Sequence, residues 1–292
     1  MLYDVRLDLN YAYQDWIRGD RHHVRVLPAS IGRMQRVVAA SLTFDPRPDY
    51  RSSFTDFFGN VVTSIGYRDH HGHLDVRLTA RVSVEDVTPA ADLSPTLEEL
   101  SAELAGLWSI DPDSPHHYVG ASPRVPLDPA ITAYARECVA GARSVQAAAF
   151  AFGHAIHRDF AYDGGATEVD TSPVEAFGLR RGVCQDFAHV MIAGLRGIGV
   201  PAAYVSGFLR TIPPPGEPRL EGADAMHAWV RVWCGRHAGW VEFDPTNAMA
   251  AGPDHITIGY ARDYSDISPI IGVLRTSGSH ETRQAVDVAL VD

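Results

Sequence analysis

Over much of the first ninety residues apolar and polar positions alternate with a period of two. Tyr3-Asp4-Val5-Arg6-Leu7-Asp8-Leu9 and Leu74-Asp75-Val76-Arg77-Leu78-Thr79-Ala80-Arg81-Val82 are the clearest stretches, the pattern of strands with one buried face. Turn signals at Asp45-Pro46-Arg47-Pro48 and Phe58-Gly59-Asn60 separate such stretches. This predicts an N-terminal antiparallel β-sandwich over residues 1–90. The pattern breaks between Pro89 and Pro95, where Ser94-Pro95-Thr96-Leu97-Glu98 predicts a helix start with Ser94 as N-cap and Pro95 at the first helical position. Leu97 then falls third, so no full capping box is expected.

A second domain, residues 91–292, opens helical. Leu97, Leu100, Leu104 and Leu107 recur at helical spacing, followed by helical stretches from Ile131 to Val139 and from Ser144 to Ile156. Ser172-Pro173-Val174-Glu175 has capping-box spacing and starts a further short helix. After Gly182, the residues Val183, Phe187, Val190, Met191 and Leu195 mark one face of another helix, which Gly199-Val200-Pro201 ends. From there the pattern turns to strands: Ala203–Leu209, Met226–Cys234, Gly239–Asp244, His255–Ile258 and Val286–Leu290, with a proline-rich loop at Pro213-Pro214-Pro215-Gly216. Helices first and an antiparallel sheet afterwards define an α+β domain.

Composition narrows the class. With 292 residues, 46% hydrophobic and 21% charged, the chain is neither disordered, collagenous nor coiled coil. Apolar runs such as Ala147–Phe152 fall far short of the roughly 18–20 residues of a membrane span, and Met1-Leu2-Tyr3-Asp4 opens no signal peptide. The expectation is a cytoplasmic protein without a membrane partner. A net charge of −11 disfavours nucleic acid. Three widely spaced cysteines, Cys138, Cys184 and Cys234, make neither a disulfide framework nor a zinc knuckle. All 25 basic residues are arginine, so the chain cannot offer its own lysines as amine donors.

Chemistry concentrates in two places. Arg181-Gly182-Val183-Cys184-Gln185-Asp186-Phe187 sets a cysteine in the first turn of an amphipathic helix. There unpaired N–H groups and the helix dipole favour a thiolate over the free thiol, whose pKa is about 8.5. Along Met226-His227-Ala228-Trp229-Val230-Arg231-Val232-Trp233-Cys234 the even positions are small or apolar, which turns His227 away from the core. A two-residue hairpin loop at Gly235-Arg236 pairs Ala228 with Phe243, Val230 with Val241 and His227 with Asp244; a two-residue shift keeps His227 and Asp244 on one face. Pro245 ends the strand with the aspartate at its tip. Cysteine, histidine and aspartate then have the roles of nucleophile, base and orienter in thiol acyl transfer.

Cys184-Gln185-Asp186-Phe187-Ala188, Leu195-Arg196-Gly197-Ile198-Gly199-Val200-Pro201-Ala202, Val205-Ser206-Gly207-Phe208-Leu209, His227-Ala228-Trp229 and Gly239-Trp240-Val241-Glu242-Phe243-Asp244-Pro245-Thr246-Asn247 together resemble the bacterial transglutaminase-like proteins. Two later segments, His255-Ile256 and Ala261-Arg262-Asp263-Tyr264-Ser265-Asp266, extend the likeness, with Ala261 where the family has glycine. So does Asp56-Phe57-Phe58-Gly59-Asn60 in the β-rich front region. The resemblance implies a papain-like α+β core with Cys184 as nucleophile, His227 as general base and acid and Asp244 orienting the imidazole. A peptide or protein amide is then the substrate, and no cofactor is needed. Water as second nucleophile makes a peptidase or amidase and an amine makes a crosslinker; the family contains both. A non-catalytic binding module is the alternative of another class, though it gives no reason to hold all three residues.

Gln185, Asp186, Trp229, Trp240 and Arg262 are further candidates for substrate contact or support of the triad, each with a plainer reading as cap, packing or structural hydrogen bond. Histidine clusters at His22-His23, His70-His71-Gly72-His73 and His116-His117 lack acidic or cysteine partners at zinc-type spacing, so no metal is expected.

Overall fold

The computed structural model describes residues 1–86, 91–211, 224–273 and 279–291. The expected proline-rich loop at 213–216 lies outside these residues. Six strands come first: β1 (Leu2–Ile17), β2 (Arg21–Val24), β3 (Gln35–Asp45), β4 (Tyr50–Thr55), β5 (Val61–Gly66) and β6 (His71–Val84). The helical part follows with α1 (Leu97–Ala105), α2 (Pro129–Cys138), α3 (Val145–Asp159), β7 (Ala161–Tyr162), α4 (Pro173–Leu179), β8 (Arg181–Gly182) and α5 (Cys184–Gly197). The rest is β9 (Ala202–Leu209), β10 (Ala225–Trp233), the helical turn α6 (Gly235–Ala238), β11 (Trp240–Asp244), β12 (Met249–Ala250), β13 (His255–Ala261), the turn α7 (Tyr264–Ile267), β14 (Ile270–Val273) and β15 (His280–Leu290).

A five-stranded sheet, ordered β12-β11-β10-β9-β13, carries the helices on one side. Its Tyr204, Ala228, Val230, Val232 and Phe243 share a core with Ile131, Phe152, Phe187, Met191 and Leu195 of α2, α3 and α5. Helix α5 is buried from Gln185 to Arg196, which explains why its sequence is apolar nearly all round. The buried guanidinium of Arg196 spends its donors on the carbonyls of Ala202, Gly120 and Arg262 and on Ser122 Oγ, which fastens α5 to β9 and its neighbours. Burial pushes that guanidinium down to about 10.

The N-terminal strands form two four-stranded sheets, β15-β1-β6-β3 and β14-β2-β5-β4. Their core (Tyr3, Val5, Leu7, Val24, Ile65, Leu74, Val76 and Leu78) continues into Phe208, Ile256 and Ile258 of the central sheet. Two of these strands come from the far end of the chain. Residues 286–290, expected among the strands of the second domain, instead belong to β15 and pair with β1, Val288 opposite Val5. Alternation identifies a strand with one buried face but not the sheet that takes it, and here β15 covers what would otherwise be the open edge of β1.

Two local expectations also change. Helix α1 starts two residues later than expected, with Thr96 as N-cap and a full capping box: Glu99 N–H donates to Thr96 Oγ1 (3.2 Å) and Thr96 N–H to Glu99 Oε2 (2.8 Å). Ser94 is engaged elsewhere, its hydroxyl accepting from the Gln146 N–H at the start of α3. The β10–β11 connection is the turn α6, bracketed by Gly235 (φ +89°) and Gly239 (φ +67°), rather than a two-residue loop. Val230 therefore opposes Phe243, two residues from the expected pairing. Contacts with α1 favour the longer turn: Arg236 N–H donates to Glu103 Oε2 (2.8 Å) and its guanidinium to the Gly106 carbonyl (2.6 Å).

Where β10 faces β9, Gly207 lies opposite His227, and a Cβ there would meet the Trp229 ring and the Ile256 carbonyl. Gly207→Ala is expected to destabilise the protein by about 1–3 kcal/mol in urea unfolding, the usual cost of overpacking. A change below about 0.5 kcal/mol, the range of neutral surface substitutions, would contradict this packing.

Candidate active site

Cys184 occupies the first position of α5, where the backbone N–H has no intrahelical acceptor. The chain turns into this helix through Gly182 and Val183. Asp186 folds back so that its Oδ2 accepts the Val183 N–H (2.8 Å) and the Thr167 hydroxyl (2.6 Å). A Cβ at 182 would overlap that carboxylate, so glycine is what lets Asp186 close the turn. Burial raises the Asp186 carboxyl above its ordinary range, against the pull of these two bonds. Gln185 is held sideways, its Nε2 donating to the Val169 carbonyl (2.8 Å). β7 pairs Tyr162 with Gly182, which places this exposed phenol near the start of α5.

His227 Nε2 donates to Asp244 Oδ2 at 2.7 Å, which leaves Nδ1 as the ring nitrogen for the nearby Cys184 thiol. The longer hairpin turn puts Asp244 diagonally across from His227 instead of directly opposite, still on the same face. Asp244 is fully buried, and five donors surround it. Oδ2 also accepts from His255 Nε2 (3.2 Å) and Asn247 Nδ2 (2.7 Å), while Oδ1 accepts the backbone N–H groups of Thr246 (2.9 Å) and Asn247 (3.1 Å). Burial pushes this carboxyl up, but the bonds from His227, His255 and Asn247 and the charge of His227 outweigh it and hold Asp244 far below the carboxylate range. For His227, burial pulls down, while the bonds to Asp244 and Cys184 and their charges carry the imidazole up to about 10.

The structure thus brings Cys184, His227 and Asp244 together and sorts the other candidates. Trp229 is a buried wall of the site, stacked on His227 (6.1 Å between centroids), edge-on to His255 and tied by Nε1 to Glu242 Oε2 (2.6 Å). Trp240 lies at the other end of the hairpin, donating to the Asp113 carbonyl beneath Arg231. Arg262 is spent on a bidentate pair with Asp266 (2.8 and 3.0 Å). The face that His227 shares with Trp229 and Arg231 is turned from the helices but not to solvent. There Arg231, Trp240, Tyr260 and His255 border a cavity of about 330 Å³ that Ile31, Met34 and Gln35 of the N-terminal region also line.

Two members of the site were not singled out for chemistry from the residues. Asn247 closes the turn of Asp244-Pro245-Thr246-Asn247, and that Asx-type turn is the signal which points to it. His255 reaches Asp244 from a strand that no local pattern links to β11. Elsewhere, His22 and His71 are buried against Asp20, whereas His73 is exposed beside Asp45. Among the described residues, Asp45, His73 and Asp75 are close enough to meet one cation, on the exposed face of the N-terminal sheet.

Residues 132–245, which include Cys184, His227 and Asp244, match the Transglutaminase-like superfamily core, and residues 3–83 match the Bacterial transglutaminase-like N-terminal region. An uncharacterized protein of Mycobacterium tuberculosis is 32% identical over 300 residues, covering 99% of this chain and 91% of its own. A protein-glutamine gamma-glutamyltransferase of Pseudomonas aeruginosa is 35% identical over 106 residues, 35% of this chain and 15% of that enzyme. Among solved structures, a candidate cysteine protease of Cytophaga hutchinsonii shares the fold over 100% of this chain and 91% of its own, with a TM-score of 0.72 and 20% identity. The chain belongs to the transglutaminase-like superfamily, in the bacterial form that carries its own N-terminal region.

The two shifts give a pH signature. The folded-state value of His227 lies above the 6.5 of a free ring, so its stabilisation is complete below pH 6.5 and is lost as pH rises through about 10. Asp244 works in the other direction, stabilising above its ordinary 3.8 and losing this as pH falls. The stability advantage of wild type over His227→Gln, from urea unfolding, is therefore expected to be largest between pH 4 and 6.5 and to shrink toward pH 10. An advantage that stays constant from pH 6 to 10 would contradict the coupling.

Proposed function

We propose that the protein carries out thiol-dependent acyl transfer on an amide bond, with Cys184 as nucleophile, His227 as general base and acid and Asp244 orienting the imidazole. The observation that carries this reading is the Asp244 carboxylate, buried, ionised and bonded to His227 Nε2, with Nδ1 left for the thiol of a helix-terminal cysteine. Transfer of the Cys184 proton to His227 generates the thiolate, which attacks the carbonyl carbon of a peptide or protein substrate. The Cys184 N–H is available to the resulting oxyanion. His227 returns the proton to the departing amine, leaving a thioester on Cys184. It then takes a proton from water, whose attack releases the acid and frees the thiol. No cofactor enters this cycle. Thiol chemistry and three unpaired cysteines suit a reducing, cytoplasmic setting; no helix among the described residues is long and apolar enough to cross a membrane.

Hydrolysis is the reading we favour. Amine transfer is the second, supported by the partial match to the Pseudomonas gamma-glutamyltransferase. With p-nitrophenyl acetate as probe, wild type is expected to acquire one acetyl group, mapped to Cys184, and to release it to water. Cys184→Ala should lose turnover by about a thousandfold or more. Turnover of that variant at the wild-type rate would refute the thioester. Added glycine ethyl ester leaves release unchanged if water is the acceptor; faster release with formation of the acetyl amide assigns amine transfer instead.

A further inference from the structure

The central sheet ends in β13, whose free edge faces the N-terminal region. Among the described residues no strand pairs with that edge. Two side-chain amides take the place of one, joined by the Ala29 N–H, which also donates to the Thr257 carbonyl (2.9 Å). Gln35 Oε1 accepts the Thr257 N–H (2.8 Å) while its Nε2 donates to the Thr257 carbonyl (2.7 Å). Asn60 Oδ1 accepts the Tyr260 N–H (3.0 Å) while its Nδ2 donates to the Tyr260 carbonyl (2.8 Å). Each amide thus presents one acceptor and one donor to a single residue, as a neighbouring strand does. Both are built in: Gln35 and Asn60 are each buried to 4% exposure. Gln35 Nε2 is further anchored on the Ala29 carbonyl (2.8 Å), and Asp56 Oδ1 holds the Asn60 turn through the N–H groups of Phe58 and Asn60 (both 3.0 Å). The strand is cut to fit, since a Cβ at Gly259 would run into the Asn60 side chain.

The same strand delivers His255. Its Nδ1 accepts the Gly252 N–H (3.1 Å), which fixes the ring proton on Nε2, and Nε2 donates to Asp244 Oδ2 (3.2 Å). His255 lies two residues from the Gln35 contact and beyond residue 245, where the superfamily match ends.

We propose that Gln35 and Asn60 are positioning residues of the active site: by pairing the edge of β13 they hold His255 against Asp244, so that the N-terminal β region is a working part of the triad. This rests on the proposed acyl-transfer reading. The route is amide to strand, strand to His255, and His255 to the carboxylate that His227 depends on.

The test uses iodoacetamide alkylation of Cys184 in the full chain, mapped by peptide mass and followed from pH 5 to 10, which needs no substrate. Asn60→Ala, Gln35→Ala and His255→Ala are each expected to lower alkylation at pH 6 by about fivefold, the equivalent of one net hydrogen bond, with little change at pH 9.5. Asn60→Ala/His255→Ala should lose no more than His255→Ala alone, because the two act in series. Should Asn60→Ala fail to fold, Asn60→Asp, which keeps the acceptor for the Tyr260 N–H, is measured instead. A wild-type profile in folded Asn60 and Gln35 variants, or losses that simply multiply in the double variant, would overturn the proposal while leaving the triad standing. A wild-type profile identical to that of His227→Ala would instead overturn the acyl-transfer reading beneath it.

Discussion

The structure turns on keeping one carboxylate ionised where no water reaches it. Burying a charge is expensive unless it is paired and fully hydrogen-bonded, and Asp244 receives two donors on one oxygen and three on the other. Those donors come from β10, from the turn after β11 and from the start of β13. The site therefore exists only when the three elements meet. Removing any one donor leaves a buried charge partly unanswered, and His227, whose elevated affinity for a proton depends on that charge, answers in turn.

This requirement gives the β-rich front of the molecule a meaning beyond shape. Strands β14 and β15 return from the far end of the chain to complete the N-terminal sheets, and the N-terminal core runs on into Phe208, Ile256 and Ile258. The two parts are consequently not beads on a string. The edge of β13 is a surface on which side chains of the N-terminal region bond to the central sheet, and the cavity behind His255 is bounded by both.

Much of the site was legible because it rests on local rules. A cysteine after glycine at the head of an amphipathic helix, and the parity of His227 and Asp244 along their strands, follow from helix polarity and a two-residue period. Parity survived a register error of two residues because such a shift never changes the face. What was not legible depends on contacts distant in sequence. The hairpin turn lengthens because Glu103 and Gly106 of the α1 end receive Arg236. Val286 and Val288 alternate as any half-buried strand does, and nothing in that alternation names β1 as partner. Asn60 and His255 stand in segments that carry the family likeness, but their roles, like that of Gln35, depend on β13 being in place. The helix start at Thr96 is a different case: Thr96 and Glu99 stood at capping-box spacing, and Ser94-Pro95 drew the assignment one pair too early.

The central claim is that the buried Asp244 carboxylate and the Cys184 thiol both act on the His227 imidazole. The most direct measurement is the titration of the His227 ring by 15N NMR, assigned by its loss in His227→Gln and repeated in Cys184→Ala and Asp244→Asn. The account predicts a wild-type imidazole that stays doubly protonated well past neutrality, to about pH 10, and a lower midpoint in each variant. A ring that titrates near 6.5 in all three proteins would mean that the carboxylate and the thiol do not act on it, and the account would fail.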